Sequence, residues 1–117
     1  LVIISEFQPQ HISMTAWSFA VLAVRNCPLL DALATAAVRG ISDFDHQALS
    51  MTAWSCAVLG FLHKPLLAAI AGAFRRVVLT AAPQHIANIS WAFACLVVLD
   101  EPLCAAIASR AIESIED

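Results

Sequence analysis

Charged residues are unusually scarce in this sequence. Asp, Glu, Lys and Arg make up 13% of the 117 residues, against about 25% in a typical soluble domain. Hydrophobic residues make up 61%, which excludes a disordered chain. We therefore expect that partners cover much of the surface, or that the chain lies in a membrane.

The membrane alternative is disfavoured by the polar residues within the longest uncharged run. That run, Val77–Leu99, is long enough to cross a bilayer. Its middle contains Pro83, Gln84, His85 and Asn88, and polar groups at the centre of a bilayer are costly. We do not expect a membrane partner.

The sequence also has few glycines and no two cysteines close together. With three glycines the sequence has no glycine-rich phosphate-binding loop, and no Ser/His/Asp or Cys/His arrangement recurs. The four cysteines (Cys27, Cys56, Cys95 and Cys104) form no CxxC pair. We therefore expect buried thiols in a reducing compartment, with no metal site, no cofactor and no enzymatic activity.

What the sequence does contain is an internal repeat. The segment Ser50–Leu59 has a near copy at Ser13–Leu22 and a third copy at Ala87–Leu96, each 37 residues from the next. This period divides the chain into repeats 8–44, 45–81 and 82–117, preceded by residues 1–7 as the tail of an earlier repeat. We interpret the chain as part of a longer protein. Eight positions are identical in all three repeats: Gln10/Gln47/Gln84, Trp17/Trp54/Trp91, Ala20/Ala57/Ala94, Leu22/Leu59/Leu96, Pro28/Pro65/Pro102, Leu29/Leu66/Leu103, Ala32/Ala69/Ala106 and Ala34/Ala71/Ala108.

Each repeat has the pattern of two helices. Ile12, Ala16 and Phe19 are spaced to lie on one face of a first helix, and Pro28 suits the first turn of a second helix, which we expect to end near Asp43. The short segment between them makes the helices antiparallel neighbours, and stacked hairpins bury a continuous core. The predicted fold is all-α, an α-solenoid of three 37-residue antiparallel helix-hairpin repeats, with about six helices plus an N-terminal helix tail.

The repeat motif resembles a known family. The segments Pro83–Ile86 and Asn88–Ala94, together with the period, are similar to heptatricopeptide and octotricopeptide repeats. This resemblance implies a helical-repeat surface that binds single-stranded RNA, either a transcript or ribosomal RNA, in mitochondria or alternatively in plastids. Met14 and Met51 stand where the third repeat has Asn88, a departure from the motif.

In such arrays the first helix of each repeat usually lines the binding surface, and its residues away from the apolar stripe differ between repeats. A variable polar surface suits the recognition of unpaired bases. The candidates for base contact are His11, Met14, Ser18, Met51, Ser55, His85 and Asn88. The candidates for phosphate contact are Arg25, Arg39, Lys64, Arg75 and Arg76.

Two invariant positions have a structural and a functional interpretation. The tryptophans either stack on bases or, as we favour, wedge between helix layers. The glutamines either bind ligand or, as we favour, cap or bridge the turns before the first helices.

The net charge of −3 is not that of a strongly basic nucleic-acid-binding domain. It favours the alternative hypothesis of a scaffold that packs against neighbouring protein subunits in a large organellar assembly, such as a ribosome or a membrane energy-converting complex.

Overall fold

The computed structural model describes residues 7–96 and 101–116. The predicted N-terminal tail therefore lies, except for Phe7, outside the described residues. Within the described ranges the chain forms six α-helices, two short 3-10 helices and no strand, which confirms the all-α prediction. The helices are α1 (Pro9–Val21), α2 (Cys27–Arg39), α3 (His46–Leu59), α4 (Lys64–Val77), α5 (Pro83–Cys95) and α6 (Glu101–Glu116), and the 3-10 helices are Ile41–Asp43 and Val78–Thr80.

The helix starts follow from proline and from polar caps. Proline occupies the first turn of α1, α2, α4 and α5, where its missing N–H has no helical partner to lose. Asn26, Asp45 and His63 each accept a hydrogen bond from the backbone N–H three residues later, at 3.1, 2.8 and 3.1 Å. These N-caps satisfy donors at the starts of α2, α3 and α4.

The second helices end before the predicted boundary near Asp43. Helix α2 stops at Arg39, Gly40 leaves helical geometry, and a 3-10 turn continues from Ile41 to Asp43. The N–H of Asp43 donates to the carbonyl of Gly40 at 3.0 Å, so the last turn is tightened.

The six helices form two layers. The first helices α1, α3 and α5 pack side by side, and the second helices α2, α4 and α6 form the other layer. Small buried residues such as Ser13, Ser50 and Ala53 let the axes of the first helices approach closely. The two serine hydroxyls donate to carbonyls three residues earlier in their own helices, at 3.2 and 3.0 Å, so neither needs a partner across the contact.

The core lies between the layers. Leu33, Leu49, Ile70, Phe74 and Ile89 are among its most deeply buried side chains, and they come from four different helices. In the part of the chain that the structure describes, no helix is both long and apolar enough to cross a membrane.

Candidate functional site

The outer side of the first-helix layer is a repeated polar and aromatic surface. Four positions in each first helix, at i, i+4, i+7 and i+11, lie on it and are exposed or half-buried. We call it the first-helix surface. It consists of Gln10, Met14, Trp17 and Val21 in α1, Gln47, Met51, Trp54 and Val58 in α3, and Gln84, Asn88, Trp91 and Cys95 in α5.

The tryptophans of this surface face outward. The side chains of Trp17 and Trp91 are 43% and 47% exposed, and Trp54, which has a repeat on each side, is half-buried. The prediction that they wedge between helix layers is therefore wrong for Trp17 and Trp91. The small residues at the contacts between first helices leave no room for an indole ring, which stands outside the contact instead.

The glutamines belong to the first helices and do not cap them. Gln10, Gln47 and Gln84 are each the second residue of a helix, and all three are exposed. The N-cap positions are occupied by Gln8, Asp45 and Ala82, so the capping interpretation is wrong. The sequence carries a signal for this placement. Each invariant glutamine precedes the invariant tryptophan by seven residues, and residues seven apart lie on the same side of a helix.

Two grooves run along this surface where neighbouring first helices meet. Groove A, of about 610 Å³, lies between α1 and α3, and its lining includes Gln10, Met14, Asp43, Asp45, Gln47 and Met51. Groove B, of about 300 Å³, lies between α3 and α5, and its lining includes Trp17, Met51, Trp54, Gln84, His85 and Asn88. Both volumes are large enough to admit part of a nucleotide.

The predicted base-contact residues divide into two groups. Met14, Met51, His85 and Asn88 line a groove, whereas the other three line neither. Ser55 is 1% exposed and donates to the carbonyl of Met51 at 2.7 Å. Ser18 donates to its own helix at 2.9 Å, and the Nδ1 of His11 accepts from the backbone N–H of Gln8 at 2.9 Å.

The placement of these three residues has a common physical reason. Positions 11 and 18 correspond to Ala48 and Ser55 in the second repeat, and both of these are buried. They lie on the side of the first helix that packs against the preceding repeat. One residue turns a helix by about 100°, so the predicted base-contact set combined residues of the open surface with residues of the side that packs against the preceding repeat.

The predicted phosphate contacts lie away from the grooves. Arg25 follows α1, Lys64 begins α4, and the other three end α2 or α4. All five are exposed, but no Lys or Arg of the described residues lines groove A or groove B. The first helices contain no Asp, Glu, Lys or Arg at all, so the structure does not bring the two predicted sets together.

Two histidines meet at one end of groove B. The ring centroids of His46 and His85 are 4.5 Å apart, with 35° between the ring planes. Both Nδ1 atoms are buried, and neither has a hydrogen-bond partner among the described residues. Burial, together with the charge of a protonated His46, lowers the pKa of His85, while Asp45 opposes this shift.

The cysteines differ in exposure. Cys56 is buried, and this burial raises the pKa of its thiol to about 12. Cys27, Cys95 and Cys104 are exposed free thiols, so the expectation of buried thiols is wrong for three of the four. Their helix positions face solvent in the described part of the chain. No three His, Cys, Asp or Glu side chains are grouped there as metal ligands would be.

Comparison with known proteins gives one family. The model of the RNA-editing substrate-binding complex 6 protein family matches residues 1–116. A comparison with curated proteins finds no significant match.

Proposed function

The chain belongs to the RNA-editing substrate-binding complex 6 protein family, and on this premise we propose that it binds single-stranded RNA through its first-helix surface. The family connects the chain with RNA and with a protein complex. We propose further that the RNA is a substrate of RNA editing and that neighbouring proteins of the complex are the chain's other partners.

The observation that carries this proposal is the pairing, in every repeat, of an exposed glutamine with a tryptophan that is exposed or half-buried. Gln47 and Trp54, for example, lie two turns apart on one side of α3, and both line groove B. An exposed indole offers a stacking platform for any base, and an amide offers both a donor and an acceptor to a base edge. The same pair at a fixed interval gives one such platform per repeat.

The position between the glutamine and the tryptophan differs among repeats. It is methionine at 14 and 51 and asparagine at 88, and all three side chains line a groove. A thioether packs against a base face without reading its hydrogen-bonding groups, whereas the amide of Asn88 reads a base edge. We therefore propose that the third repeat discriminates between bases more strongly than the first two.

A titration with labelled single-stranded RNA tests the proposed surface. Fluorescence anisotropy gives the affinity, and quenching of intrinsic tryptophan fluorescence reports stacking directly. Trp17→Ala should weaken binding about 5- to 150-fold, which corresponds to the loss of about 1–3 kcal/mol of stacking free energy. Gln47→Ala should also weaken binding.

Thr35→Ala is the matched control, since it removes an exposed polar group from α2 in the other layer. Its affinity should equal that of the unmodified chain. If Trp17→Ala and Thr35→Ala bind RNA equally well, the first-helix surface is not the RNA site.

A protein-binding scaffold is the second candidate function. The first-helix surface is free of charged residues and exposes Met14, Trp17, Val21 and Trp91. Protein interfaces are likewise enriched in tryptophan and methionine and depleted of charge at their centres. A folded, helical chain that binds no RNA pool at low salt would favour this function and make a protein the occupant of the grooves.

The finer assignments are also proposals. The motif around Trp91 supports a heptatricopeptide- or octotricopeptide-type repeat, and this resemblance supports a mitochondrial location, with the plastid as the alternative. Imaging of the tagged full-length protein beside a mitochondrial marker tests the location. Absence of catalysis is an expectation from the sequence, and incubation of the pure chain with RNA, followed by product analysis, checks it.

A further inference from the structure

The two grooves of the first-helix surface differ in their carboxylates. Asp43 and Asp45 line groove A, whereas no Asp or Glu of the described residues lines groove B. Both residues come from the segment between α2 and α3, and their equivalents one repeat later are Thr80 and Ala82. The helices that form the groove walls repeat, but the acceptors at the end of groove A do not.

The backbone that carries Asp43 is fixed. Asp43 is the last residue of the first 3-10 helix, and its N–H donates to the carbonyl of Gly40 at 3.0 Å. The N–H of Phe44 donates to the carbonyl of Ile41 at 3.1 Å, and the Phe44 side chain is buried in the core. Because this turn is already ordered, a contact made by Asp43 costs little conformational entropy of the backbone.

The two carboxylates differ in what they already bind. One oxygen of Asp45 accepts from the backbone N–H of Ala48 at 2.8 Å, so the N-cap of α3 accounts for this residue. The carboxylate of Asp43 is exposed and has no hydrogen-bond partner among the described residues. Since an ionised carboxylate only accepts hydrogen bonds, a ligand that binds Asp43 has to present donors.

The rest of the groove A lining offers the other contacts that a base can make. Met14 and Met51 present thioethers, which pack against an aromatic ring. Gln10 and Gln47 present amides, whose N–H groups donate to a carbonyl oxygen. No Lys or Arg of the described residues lines the groove. Groove A therefore suits the base of a nucleotide better than its phosphate.

Guanine is the RNA base that matches this set of groups. The Watson–Crick edge of an unpaired guanine presents two neighbouring donors, N1–H and the N2 amino group, beside the acceptor O6. Two parallel N–H groups fit a carboxylate bidentately, and O6 can accept from an amide. Adenine and cytosine each present a single amino donor beside an unprotonated ring nitrogen. Uracil presents a carbonyl oxygen on each side of its one donor, and these oxygens would be repelled by a carboxylate.

We propose that groove A binds a guanine base of single-stranded RNA and that Asp43 determines this preference by accepting from N1–H and the N2 amino group. The inference rests on the proposed RNA-binding function and names the base at one part of that surface. Asp43 is exposed whereas Asn88 is half-buried, so water competes more strongly for hydrogen bonds at Asp43. The preference in groove A should therefore be weaker than the discrimination by the third repeat.

Three RNA oligonucleotides that differ in one base test the preference. Each is a short uridine sequence with guanosine, inosine or uridine at one central position, and fluorescence anisotropy gives the three affinities. Inosine keeps N1–H and O6 but lacks the N2 amino group. The guanosine oligonucleotide should bind about 3- to 10-fold more tightly than the inosine one, because one hydrogen bond is lost. The uridine oligonucleotide should bind most weakly.

Asp43→Asn separates base recognition from the effect of charge. An amide cannot accept from two parallel N–H groups, so the preference for guanosine over inosine should disappear. Affinity for the uridine oligonucleotide should stay the same or rise, because a charge that repels phosphate is removed. Asp31→Asn is the matched control, since it removes the same charge from an exposed position of α2 in the other layer, and it should keep the guanosine preference.

Two outcomes overturn this inference alone: equal binding of the guanosine and inosine oligonucleotides, or a guanosine preference that Asp43→Asn retains. Both leave RNA binding itself in place. Failure of all three oligonucleotides to bind would overturn the proposed function and this inference with it. Because Asp43 is exposed, the variant should fold normally, and circular dichroism checks this.

Discussion

Among the individual residues, His85 takes part both in groove B and in the contact between the second and third repeats. It lines groove B, and its ring packs on that of His46 from the preceding repeat. A charged ring there lies close to a second histidine and has a buried Nδ1 atom, so the neutral form is favoured in the folded chain.

This arrangement predicts a loss of stability on mild acidification. The pKa of His85 is lowered in the folded chain, whereas an unfolded histidine titrates near pH 6.5. As the pH falls below about 6.5, the unfolded chain takes up the proton first, so the free energy of unfolding decreases. Thermal melts at pH 7.5, 6.5 and 5.5 measure the effect.

His85→Gln should melt with a smaller dependence on pH over that range, because the substituted side chain takes up no proton. His46→Gln should act in the same direction, since it removes the neighbouring charge. Parallel pH dependences for the unmodified chain and both variants would exclude the histidine pair as the cause.

The cysteines give a second prediction at the residue scale. Cys56 is buried with its thiol pKa raised to about 12, and the thiolate is the reactive form. At pH 8 the folded chain should react quickly with a thiol reagent at three sites, which are Cys27, Cys95 and Cys104. The fourth thiol should react after addition of denaturant, and four equivalents of fast reaction in the folded chain would contradict the burial of Cys56.

Among the secondary-structure elements, the turns that follow α1 and α3 share one geometry. Ala23 and Gly60 are equivalent residues, and both have left-handed backbone conformations, with φ of 57° and 65°. The residue after each donates back to the helix, Val24 to Phe19 and Phe61 to Cys56, at 2.9 Å. This is the hydrogen bond that closes a helix with a left-handed terminal residue.

The two turns predict opposite effects of exchanging alanine and glycine. A left-handed residue with a Cβ costs about 1 kcal/mol more than glycine. Gly60→Ala should therefore lower the free energy of unfolding by about 1 kcal/mol, and Ala23→Gly should raise it by a similar amount. Urea denaturation at constant pH measures both changes.

Gly72→Ala is the control for the glycine substitution. Gly72 lies inside α4, and an added Cβ there would have no neighbour within 4 Å. Alanine should therefore stabilise α4 by about 0.5–1 kcal/mol. Destabilisation by Gly72→Ala similar to that of Gly60→Ala would mean that backbone conformation is not the cause.

For the whole molecule, the distribution of charge between the layers limits how RNA can be bound. The first helices have no charged residue, and Asp43 and Asp45 line groove A. Phosphate neutralisation by lysine and arginine makes binding steeply dependent on salt. A surface that binds chiefly by stacking and by hydrogen bonds to bases should show a much weaker dependence.

The corresponding prediction concerns the Arg75→Ala/Arg76→Ala double variant. Both arginines end α4 and line neither groove, so their loss should change RNA affinity less than Trp17→Ala does. RNA titrations over a range of salt concentrations measure both affinities and their slopes. A steep slope that the double variant reduces would show that the phosphates contact the second-helix layer.

The sequence by itself determined the repeat, the helix pairs and the all-α fold. A 37-residue period with prolines in the first turns leaves few structures other than stacked hairpins, because a single hairpin has an apolar side that only a neighbouring hairpin can bury. The ends of the helices were predicted less accurately than their existence. The 3-10 turns after Arg39 and Val77 continue the apolar pattern with a different hydrogen bond, and a hydrophobic period does not distinguish the two.

Only the tertiary structure decided which residues of the first helices are open to a ligand. Trp17 and Ser18 are neighbours in sequence, and so are Gln10 and His11. Within each pair one residue lies on the first-helix surface, and the other lies on the side of the helix that is buried between repeats at the equivalent position of the second repeat. Both residues of each pair recur with the same 37-residue period, so the period does not distinguish the open side from the buried one. The angle at which successive repeats stack separates them, because it fixes which side of each helix the next repeat covers.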